Sequence, residues 1–351
     1  PGSIESLIGF MEHPNHKPEI VKNSGGFSYV ASGYGAAAPR VEANPESSFR
    51  TAYSAMMSGN TGTEFYKNPH FNLYQDLFSQ GIFCGKGIIR IPLYRELIAN
   101  RFSDDPILSH DLPEGEILRC ANLSDIVFFD EIPETVLADE KRSHRWIRGD
   151  FQNARFLSRK QTASNLFRFK IVHNLLRALS SLSCFLLFVC TIFWGPKSFF
   201  LGLFWVSFPL LLRIPSFLSS VFGKKRRFHP FREFFDAIFE TILNFLLLPT
   251  RAINGLDGAI RGIFRSIRGK KKLEWTTAAA SAKNGKEIGD YFYQLRWQLF
   301  GFLLVFFPQT ALMGALWIIA PVIAFHVSSS YRKDSVDPEE LKEDIFPMWQ
   351  Y

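Results

Sequence analysis

The chain has 351 residues, 47% of them hydrophobic, with 37 phenylalanines and a formal net charge of +7. This apolar excess argues against a wholly soluble protein, and the length allows two or three domains. The apolar residues are concentrated in the second part of the chain. We therefore predict a soluble domain over 1–160, a membrane domain over 161–330, and a cytoplasmic tail or the start of a further domain over 331–351.

Basic residues form two clusters beside apolar runs, one from Lys224 to Arg227 and one from Arg268 to Lys272. Such clusters are typical of the cytoplasmic flanks of membrane helices and of contact with anionic lipids. Nucleic-acid binding is the rival interpretation, but no fingerprint of a nucleic-acid-binding fold supports it. We therefore expect membrane lipids, and no nucleic acid, among the partners.

The cysteines and the first residues indicate the setting of the chain. Two of the four cysteines, Cys184 and Cys190, lie within an apolar run, where a disulfide framework is implausible, so we expect a reducing compartment. The chain begins at Pro1, without a methionine or a signal peptide, and enters a helical pattern at once. We expect it to be a piece of a longer protein.

The first 160 residues alternate helical and strand-like segments, which predicts an α/β fold. Carboxylates cluster at the ends of these segments, where α/β enzymes keep their chemistry. In chain order the predicted elements are a helix over 3–12 capped by Ser3, a strand in "FSYVASGYGAAAPRV", a helix over 49–57, a turn, strand and helix in "DLFSQGIFCGKGIIRIPLYREL", a strand in "SDIVFFDE", and a basic helix over 138–159.

The membrane domain is predicted to contain four spans and two amphipathic helices. A spanning helix needs about 20 mostly apolar residues. The predicted spans are about 175–194, 198–218, 296–308 and 311–327. Polar residues recur every fourth position over 231–248, and charged residues oppose an apolar face over 251–268, so we predict interfacial helices there. The first of these helices remains open to a second interpretation, a span that lines a polar path.

Three acids follow the predicted strand "ILS": Asp111, Glu114 and Glu116. Each is also explained by the helix dipole, which favours carboxylates at a helix start. Against this, Asp111 comes directly after the strand, at the rim of the sheet, where a general base would lie.

Arginines recur every third residue on the basic helix, at Arg142, Arg145 and Arg148, with Trp146 beside them. They project to nearly the same side of the helix. One interpretation is a juxtamembrane helix that contacts lipid headgroups. The other is a guanidinium cluster that binds a diphosphate or sugar against the indole. The spacing alone leaves both open.

Several motifs, taken in order, resemble those of a known family. "SHD" followed by "RSHRWIRGD" resembles the signatures of processive inverting family 2 glycosyltransferases such as cellulose synthase, with His110 in place of an acid and Arg142 in place of glutamine. The closer resemblance is to the family 84 glycosyltransferase domain of cyclic β-1,2-glucan synthases. It rests on "YGAAAPRV", "YQDLFSQGIFCGKGI", "LSHDLPEG", "HRWIRGD" and "LEWTTAA" and spans most of the chain.

This resemblance implies a fold and a reaction. The fold is the C-terminal half of a GT-A-type domain, followed by a helical membrane domain. The reaction is inverting glucosyl transfer from UDP-glucose to a growing glucan, and this chain alone would be inactive. The family's nucleotide-binding half, with the ligands for Mg²⁺ or Mn²⁺, would lie upstream of Pro1, so no metal ligand is expected here. A phosphorylase-like domain would lie downstream.

The resemblance also implies site residues. Asp111 would be the general base, Arg145 the first choice and Arg142 the second for binding the leaving diphosphate, and Trp146 a platform for the acceptor sugar. The remaining substrate-binding candidates are Glu114 and the acceptor loop formed by Cys84, Gly85, Lys86 and Gly87. For Cys84 an ordinary glycine turn is nearly as good an explanation.

The resemblance places the protein in the bacterial inner membrane, with the glycosyltransferase domain in the cytoplasm. Other functions remain open at this point. They are a non-catalytic membrane scaffold, a transporter, and a glycosyltransferase that makes another polysaccharide. In the scaffold, Asp111 and the arginines would form a structural network of ion pairs.

Overall fold

The structure is a computed structural model, and it describes residues 2–58, 72–99, 110–158, 164–222, 230–268 and 287–329. The basic residues 224–227 and 270–272, the motif "LEWTTAA" and the predicted strand before His110 lie outside the described residues.

The first part of the chain is an α/β unit, as its pattern predicts. Its elements are α1 (Ser3–Glu12), β1 (Glu19–Lys22), β2 (Ser28–Ser32), β3 (Ala36–Ala43), α2 (Pro45–Ser48), α3 (Ala52–Met57), α4 (Leu73–Phe78), β4 (Ile88–Ile89), α5 (Ile91–Leu97), α6 (Asp111–Ile117), β5 (Cys120–Asp130) and α7 (Val136–Asn153). This architecture is compatible with the predicted fold class, an α/β domain followed by a helical membrane region. The GT-A type stays a prediction.

Three details differ from the sequence expectations. The helix expected over 49–57 begins only at Ala52, because the Thr51 side chain caps it there. Gly2 occupies the N-cap of α1 in a left-handed conformation, so Ser3 is the first helical residue and not the cap. The single strand expected over 27–41 is divided into β2 and β3 at Gly33, whose φ is 66°. The reason is local, because a residue in this left-handed conformation interrupts an extended strand.

The main sheet has the order β4-β3-β5. β3 and β5 run parallel, with Ala36 opposite Cys120 and Ala43 opposite Asp130. Their first residues are small and fully buried, since α1 and α5 cover the two faces. Because parallel strands end at the same edge, Ala43 and Asp130 mark one rim of the sheet, the rim where α/β proteins bind ligands.

The basic helix α7 begins at Val136, with the Thr135 side chain as its N-cap, and ends at Asn153. It connects the sheet to the membrane helices, because α11 (Leu248–Arg268) lies along it. Two polar contacts fix this packing: Arg251 donates to Glu140 at 2.7 Å and His144 lies 2.7 Å from Asp257.

Within the described residues, three helices are long and apolar enough to cross a membrane: α8 (Asn165–Trp194), α9 (Pro196–Phe222) and α14 (Ala311–Ser328). The fourth predicted span, over 296–308, is not among them and stays a prediction. The segment expected to cross at 296–308 forms a 3₁₀ turn and the six-residue helix α13 (Phe300–Val305), preceded by α12 (Ile288–Gln294). Six helical residues rise about 9 Å, far short of the roughly 30 Å hydrocarbon layer.

The amphipathic helices are α10 (Pro230–Leu246) and α11. Glu240 on α10 pairs with Arg213 on α9 at 3.1 Å. On α11 the polar face contacts α7 and the apolar face is exposed, through Leu256, Ile260, Ile263, Phe264 and Ile267. This arrangement suits a helix between a soluble domain and a bilayer. The interfacial position itself stays a prediction.

Candidate active site

A cavity of about 220 Å³ lies at the rim where β3 and β5 end, between α6, α7 and the first turns of α8. Residues from the strand ends, from the loop before β4 and from three helices line this cavity. Its lining includes Glu42, Ala43, Cys84, Lys86, Asp111, Asp130, Arg142, Trp146, Asp150, Lys170, Asn174 and Arg177. Five of these are residues that the sequence singled out, from three motifs far apart in the chain.

Asp111 is the first residue of α6 and its side chain lines the cavity. Burial raises the pKa of this carboxyl, and the neighbouring His110 opposes the shift. A carboxylate that is partly desolvated is a stronger base than one in water, because its charged form is less favoured. Asp111 therefore has the position and the electrostatics of a general base.

The loop from Cys84 to Gly87 lies directly against Asp111. Gly85 has a φ of 78°, and a Cβ atom built on it would lie 2.9 Å from Oδ1 of Asp111. Gly87 has a φ of 140° and packs on the backbone of Ala37. Lys86 forms an ion pair with Asp130 at the end of β5. Both glycines are thus required by backbone conformation and by close approach, Gly85 to the Asp111 carboxylate and Gly87 to the backbone of Ala37.

On α7, Arg142 and Trp146 face the cavity together. The guanidinium lies over the indole ring, 4.7 Å from its centroid, and its Nη2 donates to Asp139 at 2.7 Å. Tyr53 in turn donates to Asp139 at 2.7 Å. Nε of Arg142 is buried and has no partner among the described residues. A planar guanidinium held in this way suits a diphosphate or a sugar.

Four predicted residues are described but are not in the cavity lining: the loop glycines Gly85 and Gly87, and Arg145 and Glu114. Arg145 is half-buried one position before Trp146, and burial together with the charge of Arg142 lowers its pKa. Glu114 is buried and accepts a hydrogen bond from Tyr94 at 3.3 Å. Burial raises the pKa of Glu114. Glu114 therefore stabilises the position of α6 through its contact with Tyr94. Of the two arginines, the geometry favours Arg142 as the one that contacts a ligand in the cavity.

Sequence reasoning missed the membrane-side wall of the cavity. Asp150 accepts a hydrogen bond from Asn174 at 3.2 Å and lies 3.7 Å from Arg177. Burial raises the pKa of Asp150 to about 6, and Arg177 opposes the shift. The sequence did contain a signal for this wall. Asp150 follows Trp146 by four residues, and on α8 the polar residues after Lys170 recur at helical spacing, at His173, Asn174 and Arg177. Both patterns place side chains on one face.

The chain is similar to a cyclic β-(1,2)-glucan synthase. The relative is NdvB from Rhizobium meliloti (strain 1021), which is 27% identical over 387 residues, and the match covers 99% of this chain. The resemblance that the motifs indicated is confirmed by this comparison. The chain spans 13% of the length of NdvB. No protein-family model matches the chain.

Proposed function

We propose that this chain is the acceptor-side part of a membrane-bound inverting glucosyltransferase that polymerises glucose from UDP-glucose into a β-1,2-glucan. The observation that carries the proposal is the convergence of the acceptor loop, Asp111 and the Arg142–Trp146 pair on one cavity at the rim of the sheet. Similarity to NdvB over nearly the whole chain supports it. The cavity lining combines the aromatic face of Trp146 with several carboxylate, amide and guanidinium groups, and this composition is suited to binding a sugar.

In the proposed reaction, the 2-hydroxyl oxygen of the acceptor sugar attacks the anomeric carbon in line with the departing diphosphate. The bond between that carbon and the diphosphate oxygen breaks, and the hydroxyl proton passes to the Asp111 carboxylate. One carboxylate near the sugar ring also stabilises the positive charge that develops there. UDP leaves with the electron pair of the broken bond, and attack from the opposite face inverts the configuration at the anomeric carbon.

Arg142 is our choice for the cation that faces the leaving diphosphate. Asp139 orients its guanidinium and the Trp146 ring supports it, so little reorganisation is needed as negative charge grows. Trp146 retains its other face for the acceptor sugar.

Mg²⁺ or Mn²⁺ is the cofactor that the resemblance implies. Among the described residues, His110, Asp111 and Glu114 place possible ligand atoms within 4.8 Å of one another. The set does not fit Mg²⁺, which prefers oxygen ligands with several waters, because one member is an imidazole and Glu114 is already bonded to Tyr94. We therefore assign the metal to residues outside this part of the chain and derive no step through it.

The three long apolar helices anchor the site to a membrane. We propose that this is the bacterial inner membrane and that the cavity lies on the cytosolic side, where nucleotide sugars are made. Anionic lipids would then meet the basic clusters.

Membrane vesicles test function and orientation together. With the full-length protein, inverted vesicles supplied with radiolabelled UDP-glucose should form labelled β-1,2-glucan, whereas right-side-out vesicles should not, because a charged nucleotide sugar does not cross lipid. Vesicles that lack the protein provide the background. Absence of labelled polymer in both kinds of vesicle would refute the proposed function, and incorporation by right-side-out vesicles alone would refute the orientation.

Arginine-to-lysine substitutions at Arg142 and Arg145 form a matched pair. Arg142→Lys should lower kcat about 10²-fold or more, because lysine keeps the charge but loses the planar fork and the stacking on Trp146. Arg145→Lys should retain most activity, since Arg145 lies outside the lining. Initial rates of glucan synthesis provide the measurement. The opposite ranking would return the diphosphate role to Arg145.

A further inference from the structure

A buried ion pair joins the candidate active site to the first membrane helix. Lys170, on the second turn of α8, pairs with Glu116 on α6, and the two side chains are only 2% and 1% exposed. Nζ of Lys170 also lies 3.4 Å from the carbonyl oxygen of Gly81 and 4.8 Å from the ring centroid of Tyr74. Gln80 completes the cluster by donating to Glu116 at 2.8 Å.

The members of this cluster belong to the elements that carry the site. Glu116 lies five residues after Asp111 on the same short helix, and Gly81 lies three residues before Cys84. Lys170 itself lines the cavity. A buried ion pair contributes little net stability, because desolvation offsets the attraction, but its geometry is demanding. This favours a role in fixing positions over a role in stability.

We propose that Lys170 is a positioning residue that sets the base helix α6 and the acceptor loop relative to the membrane helix α8. The inference rests on the proposed function for its link to turnover. Lys170 acts through Glu116 and Gly81 and need not touch the reacting atoms. The membrane helix is then part of the active-site scaffold as well as an anchor.

Lys170→Met in the full-length protein should lower kcat about 10- to 100-fold, since displacement of catalytic groups by about 1 Å is enough for such losses. KM for UDP-glucose should change less than about threefold, because the nucleotide contacts remain. Lys197→Met is the matched control, an identical substitution at an exposed position in the first turn of α9, and should behave as the native protein.

The Lys170→Met defect should also depend on pH. Burial raises the pKa of Glu116, and Lys170 on α8 and Arg119 after α6 oppose the shift, while Gln80 and Tyr74 face the carboxyl without charge. Without Lys170, an unpaired buried carboxylate disturbs α6 whenever it is charged. Lowering the pH protonates Glu116, so the ratio of variant to native kcat should rise. In Lys170→Met/Glu116→Gln no carboxylate remains, so activity should partly recover and this pH dependence should disappear.

A second readout does not require turnover. Cys84 lies in the acceptor loop and is partly exposed. In proteins whose other cysteines are replaced, Lys170→Met should speed the modification of Cys84 by a soluble maleimide several-fold, and the double variant should restore the native rate. Native kcat and native Cys84 reactivity in Lys170→Met would overturn the inference. If the native protein makes no glucan, the proposed function fails, and the Cys84 rates still decide whether Lys170 positions the loop.

Discussion

Asp111→Asn should lower glucan synthesis by the full-length protein about 10²–10⁴-fold, the usual cost of losing a general base. Asparagine keeps the size and the position of the side chain at the start of α6, so the loop around Gly85 should stay in place. Only the ability to accept a proton is removed. Binding of UDP should therefore stay within about threefold of the native value, because this interaction precedes the proton transfer.

Asp125→Asn supplies the matched control, because Asp125 is an exposed acid on β5. It should leave kcat unchanged. The measurements are initial rates of glucan synthesis and UDP titration of the purified protein in detergent. Turnover of Asp111→Asn equal to that of Asp125→Asn would remove Asp111 from the mechanism.

The pH profile gives an independent view of the same residue. Because burial raises the pKa of Asp111, the carboxyl becomes protonated at a higher pH than an ordinary aspartate does. Only the deprotonated form accepts the proton, so kcat/KM should fall as the pH drops through this raised value. The residual activity of Asp111→Asn should lack this acid limb.

The motifs predicted residues that come together around one cavity, because some of these motifs require a particular backbone. The glycines at 85 and 87 indicated a loop in which the backbone comes close to another group, and the structure provides that group in the Asp111 carboxylate. A sequence cannot reveal this directly, since Gly85 and Asp111 come together only when β3 and β5 pair and bring α6 over the loop. The order of the motifs within a known family supplied the missing long-range information.

The choice between Arg142 and Arg145 shows where spacing stops being informative. Three residues of an α-helix turn through about 300°, so the two side chains diverge by about 60°. That angle is enough to put Arg142 on the cavity and Arg145 outside its lining. Helical period predicts a shared side, but the position of the cavity depends on how α7 packs against α8 and α11.

The segment 296–308 and Lys170 show two limits of hydropathy. Hydropathy over 296–308 indicates an apolar environment, and it does not distinguish Leu304, which is buried against Trp317, from Phe306, which is exposed. Lys170 was overlooked for a different reason. A lysine just before an apolar run is usually explained by the membrane surface, whereas here its partner, Glu116, comes from a different element.

Gly85→Ala should be as damaging as the loss of the base, although it removes no functional group. The new Cβ atom would lie 2.9 Å from Oδ1 of Asp111, closer than Cβ atoms approach other groups in folded proteins, and a tight 3.2 Å from Cγ. The carboxylate is the group that can move, so the substitution should push it from its position. We expect kcat to fall about 100-fold, in line with a displacement of about 1 Å.

Alanine at a φ of 78° also carries backbone strain, of about 1–2 kcal/mol. Gly26→Ala separates the two effects, because Gly26 has a φ of 80° and nothing within 4 Å of an added Cβ atom. Both variants should lose similar stability in thermal unfolding, and only Gly85→Ala should lose turnover. Equal kcat in the two variants would mean that the loop does not press on Asp111 during the reaction. Unequal values would identify the contact between Gly85 and the carboxylate as the one that sets the position of the base.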